Sequence, residues 1–162
     1  QDRLDDAGYA ALIRTTTQLN VIGRDLPDRP GVHAVTDVTG FGLLGHALEM
    51  AQGGGLVAEI LADSAAILPG VEGLLRDGVR TGASGRNWDS YGAHVTLPGD
   101  LAGWQRDLLT DPQTSGGLLI AVAEEAAEGV LALARSRGFA DARAVGRLVS
   151  AGPDAAPGVR VI

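Results

Sequence analysis

Apolar residues at Leu4, Ala7, Ala11, Leu12, Leu19 and Ile22 recur close to the helical period, and Asp5 and Asp6 suit the positive end of a helix dipole. A first helix is predicted from Leu4 to about Ile22, ended by Gly23 and by the Pro27 to Pro30 stretch, which reads as a short linker. Val32 to Val38 then reads as a strand and Phe41 to about Ala51 as a helix. Gly53, Gly54 and Gly55 break that helix before a second strand, Leu56 to Leu61. The pattern predicts a compact strand–helix–strand unit.

Further on, Ile67 to Asp77 holds a short predicted helix begun by Pro69. Gly78 to Gly92 reads as a glycine- and serine-rich loop, His94 to Leu97 as a strand and Leu101 to Leu109 as a helix. Asp111 to Gly117 is a turn before the apolar strand Leu118 to Val122. Glu124 to Arg137 carries acidic residues at its start, arginines at its end and Gly138 as its stop, a helix by all three signs. Ala144 to Val149 and Val159 to Ile162 complete the strands. With no internal repeat, the expectation is one α/β or α+β domain.

Composition narrows what such a domain does. The chain has 162 residues, 45% of them hydrophobic and 20% charged, enough for a packed core. The formal charge is −7, the wrong sign for gripping nucleic acid or an anionic membrane. All 13 basic residues are arginine, so chemistry that needs a lysine must borrow it from elsewhere. No cysteine is present, which excludes disulfides, thiolate metal sites and a cysteine nucleophile within the chain. No apolar run approaches the ~18 residues of a membrane span, and nothing reads as a signal peptide, so a cytoplasmic location is expected. The chain opens at Gln1 in a charged stretch, consistent with a domain of a longer polypeptide.

Three segments carry candidate chemistry. The first runs Thr36-Asp37-Val38-Thr39-Gly40-Phe41-Gly42-Leu43-Leu44-Gly45. Gly40, Gly42 and Gly45 match the G-x-G-x-x-G spacing of a dinucleotide turn between a strand and a helix, and Glu59 or Asp63 would be available for a ribose. Asp37 argues against that use. Two unit charges 4 Å apart interact by roughly 4 kcal/mol at an effective dielectric near 20, so a bare carboxylate repels a pyrophosphate. A divalent cation between them reverses the sign, and Mg²⁺ takes one or two carboxylates together with substrate phosphates. Asp37 thus reads as a metal ligand at a strand end, with the glycines exposing N–H groups at the helix start. The alternative is that Asp37 or Thr39 caps the helix and the glycines only permit tight packing.

The second segment is Asp111-Pro112-Gln113-Thr114-Ser115-Gly116-Gly117, either a plain turn into the next strand or two hydroxyls and two glycines facing an anion. The third is Thr81-Gly82-Ala83-Ser84-Gly85-Arg86-Asn87-Trp88, either a flexible linking loop or an arginine set for phosphate. His33, His46 and His94 show no metal-ligand spacing.

Taken together, the Thr36 to His46 block, Gly85-Arg86-Asn87-Trp88 with Ser90-Tyr91-Gly92, and the Asp111 to Gly117 block resemble the C-terminal half of selenophosphate synthetase (selenide, water dikinase). The three blocks occur in that family's order over essentially the whole chain. The resemblance implies an α/β (α+β) sandwich, the C-terminal domain of the aminoimidazole ribotide synthetase-like superfamily, with partial ferredoxin-like topology. It implies one domain over residues 1–162, with an opening helix and linker over 1–30 and an α/β core over 31–162. The family's N-terminal domain, with its cysteine or selenocysteine, its lysine and most of its metal-binding aspartates, is absent from this chain.

The implied activity makes selenophosphate, AMP and orthophosphate from selenide, ATP and water. Asp37 matches the one aspartate that the C-terminal domain gives to the Mg²⁺–ATP site. Thr36, Thr39, Gly40 and Gly42 are expected near the ATP phosphates, as are Thr114, Ser115 and Gly116, and no catalytic residue is expected here. The implied partners are ATP, selenide, the protein's own N-terminal domain and a second copy in a homodimer, with neither nucleic acid nor membrane. Gly82-Ala83-Ser84 departs from the family's frequent pair of glycines, which matters only if Ala83 needs a positive φ. Two other readings stand beside this one: a non-catalytic scaffold or interface domain, and a dinucleotide-binding module.

Overall fold

The computed structural model describes residues 4–153 and 155–162; Gln1, on which the reading of the chain's start rests, lies outside them. Helix α1 (Asp6–Thr17) begins where Asp5 accepts a hydrogen bond from the Gly8 amide at 2.7 Å. It ends at Thr16 and Thr17, whose hydroxyls bond back to the Leu12 and Ile13 carbonyls. The helix is therefore shorter than its apolar spacing predicts. Ile22 lies instead in a separate 3₁₀ turn, Val21–Arg24, and is buried with Leu26 against Val130 and Ala134 of α6 (Glu124–Ser136).

Strand β1 (Val32–Asp37) pairs antiparallel with β4 (Leu118–Val122), Asp37 opposite Leu118, as a sheet of two strands. Helix α2 (Gly42–Gly54) follows and stops at Gly55, which adopts φ +67°. Strand β2 (Leu56–Ile60) belongs to a second sheet of order β3-β6-β2-β5. There β3 (Val95–Thr96) and β6 (Gly158–Val161) run parallel to β2, and β5 (Gly146–Ser150) runs antiparallel along its edge. The predicted strand–helix–strand unit thus divides between two sheets. Its local pattern fixes each element but leaves the strand partner to long-range packing.

Leu44, Ala47, Leu48 and Ala51 form one stripe of α2 at i, i+3, i+4 and i+7, packed on Ala58, Ile60, Val159 and Val161 of the second sheet. Fully burying a side chain such as Leu44 contributes about 1.5–3 kcal/mol. Strand β4 is apolar throughout because both its faces are used. Leu118, Ile120 and Val122 meet the α6 cluster, and Leu119 meets the α2 core.

Two predictions change in the middle of the chain. The Gly78–Gly92 segment is not a loop: residues Gly82–Tyr91 form α4, with Thr81 as N-cap accepting from the Ser84 amide. Ala83 lies in the first turn of α4, and no non-glycine residue among those described has a positive φ, so alanine costs nothing there. Helix α3 (Val71–Arg76) starts two residues after Pro69, behind Gly70 in the left-handed region. Helix α5 (Gly103–Leu109) runs on to Thr110, at the edge of the candidate site.

Candidate functional site

All three singled-out segments meet at one place. The turn after β1 is stitched to the 111–117 loop by main-chain bonds, from Val38 N–H to the Gly117 carbonyl and from Gln113 N–H to the Thr39 carbonyl, each 3.0 Å. Glycine is required at two contact points. Gly42 has φ +69°, and a Cβ there would lie 2.7 Å from the Thr110 carbonyl carbon. A Cβ on Gly116 would collide with the Val38 carbonyl oxygen at 2.4 Å. Gly40, by contrast, has open space where a Cβ would stand.

Helix α4 supports the turn from behind. Asn87 Nδ2 donates to the carbonyls of Gly40 and Thr110, both at 2.9 Å. Tyr91 Oη donates to the Phe41 carbonyl at 2.7 Å, and burial raises its phenol to about 12 against a weaker opposing hydrogen bond from the Gly45 amide. Ser84, fully buried, donates to the Asp107 carbonyl at 2.8 Å and pairs with the Thr110 hydroxyl at 2.6 Å. These polar residues stand at i, i+3 and i+7, a helical stripe without the apolar residues that normally mark one. That spacing is the one trace of α4 in the sequence, and it carries no apolar periodicity.

The N-cap of α2 is Phe41, and no side chain caps the helix, so neither Asp37 nor Thr39 acts as the predicted alternative cap. The Asp37 carboxylate is exposed at the end of β1 and makes no hydrogen bond or ion pair among the described residues. Thr36 is half-buried, and its hydroxyl contacts only the Asp37 carbonyl, at 3.3 Å. Thr39 Oγ1 lies 3.2 Å from Nε2 of buried His46, whose Nδ1 is 3.4 Å from Glu49 Oε2 without forming a hydrogen bond. The Thr114 and Ser115 hydroxyls are unbonded among the described residues. Asp111 Oδ1 accepts from the Thr81 hydroxyl at 2.9 Å, tying the 111–117 loop to the start of α4.

The acids that would serve a ribose are engaged elsewhere. Glu59 is held by Arg147 and Arg160, and Asp63 accepts from Gln105 Nε2 at 2.9 Å. With β1 and β2 in separate sheets, the dinucleotide βαβ geometry is not formed.

Among the described residues no three His, Asp or Glu side chains group as a metal site, and Asp37 stands as a single exposed carboxylate. A cavity of about 630 Å³ between α3 and α5 is lined by Asp63, Glu72, Arg76, Trp104 and Arg143, and none of the candidate site residues reaches it. Asp37, Gly40, Thr114 and Gly116 are exposed.

Comparison with known proteins gives the family and the fold. Residues 3–156 match the family described as AIR synthase related protein, C-terminal domain. The chain belongs to that family. It is 55% identical over 150 residues to the selenide, water dikinase of Paraburkholderia xenovorans (strain LB400), covering 93% of this chain and 42% of that protein. It is 45% identical over 162 residues to the selenide, water dikinase of Dechloromonas aromatica (strain RCB), covering 100% of this chain and 45% of that protein.

The chain therefore spans about two fifths of the length of the curated relatives it matches. Among solved structures, the hydrogenase maturation protein HypE of E. coli superposes with TM-score 0.52 at 29% identity over 85% of this chain and 34% of that one. HypE in complex with ATP superposes with TM-score 0.55 at 19% identity, over 87% of this chain and 35% of that one, a likeness of fold. The mixed α/β architecture with two sheets is that of the superfamily.

Proposed function

We propose that this chain is the C-terminal half of a selenophosphate synthetase and that it gives one carboxylate, Asp37, to a Mg²⁺–ATP site built mainly by the other half. The observation that carries this reading is the state of Asp37: exposed, unpaired, not a cap, and at the end of a strand whose following turn is clamped on two sides. The two relatives named above, both selenide, water dikinases, support this reaction class.

A bound magnesium ion would neutralise charge on the polyphosphate. The chain's own part is positional, since phosphoryl transfer depends on orientation and charge more than on covalent chemistry. Asp37 holds a fixed negative charge for the cation, and the open backbone at Gly40 admits a phosphate close to the start of α2. Thr36, Thr39, Gly42, Thr114, Ser115 and Gly116 border the same surface in this reading. Without lysine or cysteine, and with no group of three metal-ligating side chains among the described residues, the chain by itself has no synthetase activity and binds ATP poorly in this reading. Selenide as co-substrate, a homodimer of the full-length protein and a cytoplasmic location belong to the same proposal. No helix among the described residues is long and apolar enough to cross a membrane.

The test is selenide-dependent AMP formation by the intact protein, wild type against Asp37→Asn, together with Mn²⁺–ATP binding. Exposed Asp37 carries no packing load, so the expected result is at least about a hundredfold loss of rate and weaker metal binding with an unchanged circular dichroism spectrum. Near-normal activity in the variant would overturn the assignment and favour a scaffold domain.

A further inference from the structure

The sequence motif around Asn87 has no assigned role in the reading above, yet its side chain occupies a singular position. It is 9% exposed, and its amide group has two N–H donors, each directed to a different segment: the Gly40 carbonyl of the glycine turn and the Thr110 carbonyl at the end of α5. Turning the amide over would set its oxygen against both carbonyls, so the neighbours fix its orientation.

We propose that Asn87 is the positioning residue that locks the 38–42 turn and the 110–117 loop into one rigid unit. Its functional consequence rests on the Mg²⁺–ATP reading; its structural consequence does not. The other polar contacts of α4 divide between the two segments. Ser84 reaches only the α5 end and Tyr91 reaches only the turn. Asn87 alone, among the described residues, has a side chain bonded to both. The main-chain bonds Val38–Gly117 and Gln113–Thr39 join the same two segments on their facing sides, and Asn87 joins them from the interior. Removing its amide leaves two carbonyls without that donor and frees each segment to shift against the other. The glycine turn at Gly40 would then lose its fixed placement against the end of α5 at Thr110.

The test uses the intact protein carrying Asn87→Ala, with Ser84→Ala as a variant that loses buried hydrogen bonds on the same helix. Hydrogen exchange is followed in peptides covering residues 38–43 and 110–118. Asn87→Ala is expected to speed exchange about tenfold or more in both peptides, whereas Ser84→Ala leaves 38–43 protected at a similar drop in Tm. The KM for ATP should rise about tenfold in Asn87→Ala, with kcat within about threefold of wild type.

If Asn87→Ala does not fold, Asn87→Ser serves instead, because one hydroxyl donor cannot hold both carbonyls and at least one peptide must be released. Protection retained in 38–43 and 110–118 for the variant that folds, or equal release of 38–43 by Ser84→Ala, overturns the proposal. A wild-type protein without selenide- and ATP-dependent activity would remove the functional reading, and the exchange result would still decide the role of Asn87.

Discussion

Glu59 on β2 and Arg147 on β5 stand directly opposite in an antiparallel register, with Arg147 Nε donating to Glu59 Oε2 at 2.7 Å. Arg160, opposite on the parallel side, donates to the other carboxylate oxygen at 2.9 Å. Glu59 is thus gripped from both neighbouring strands. The hydrogen bond from Arg147 is the largest cause holding its pKa below the ordinary 4.5; burial opposes it, and the charges of Arg147 and Arg160 add to it.

A lowered folded-state pKa contributes stability that is present above the ordinary carboxylate range and lost as pH falls through the folded value. Wild-type urea midpoints should therefore drop on the acid side. Glu59→Gln should be less stable near neutral pH and show a flatter acid limb. Parallel acid limbs for the two proteins would rule Glu59 out as the source.

Asp111 shifts the other way. Burial, the largest cause, pushes its carboxyl up and the nearby Asp107 charge adds, while hydrogen bonds from Thr81 and Gln113 pull it down. An acid with a raised folded-state pKa costs stability once ionised, so the cost grows as pH rises through the ordinary range of ~3.9 and is complete above the folded value. Asp111→Asn keeps an oxygen for the Thr81 hydroxyl and removes the charge. Its Tm should exceed wild type at neutral pH and converge with it in acid; a lower Tm at neutral pH would show that the charge is needed.

Two glycines of the same turn should behave oppositely. Gly42→Ala meets both the left-handed backbone and the Thr110 carbonyl, and a loss of about 3 kcal/mol or more is expected in denaturant melts. Gly40→Ala meets nothing and should stay within about 0.5 kcal/mol of wild type. In the intact protein Gly40→Ala should nevertheless weaken ATP binding, because the methyl group occupies the backbone's open side. Unchanged ATP affinity would separate Gly40 from the phosphates.

Tyr91→Phe removes the donor to the Phe41 carbonyl and should cost about 1–2 kcal/mol. The wild-type phenol should remain protonated beyond the ordinary 10.0 and ionise only near about 12. An absorbance titration of wild type against Tyr91→Phe isolates that transition; a Tyr91 phenolate forming at ordinary alkalinity would mean that the hydroxyl is not buried against the turn.

The sequence patterns expose this molecule unevenly. Strand β4 and helix α6 lie almost where Leu118–Val122 and Glu124–Arg137 predict, because an unbroken apolar run and a charge-graded helix are local signals. Helix α4 escaped detection because its inward stripe is Ser84, Asn87 and Tyr91, polar groups satisfied only by partners distant in sequence. The division of β1 and β2 between sheets depends on which strands they pair with, which neither strand encodes by itself. Asp37 was legible as a free carboxylate beside glycines. The reason for Gly42 lay in its contact with Thr110, 68 positions away, and so was not.

The close seating of Gly42 against Thr110 bears on how this surface can be borrowed or altered. A peptide copied from residues 36–45 would carry the glycines without the shape, since half of the mould is supplied by residues 84–91 and 110–117. The transplantable unit is a discontinuous mosaic of three segments. A change in the length of either loop must be answered in the other, so the two are expected to drift together as the protein diversifies.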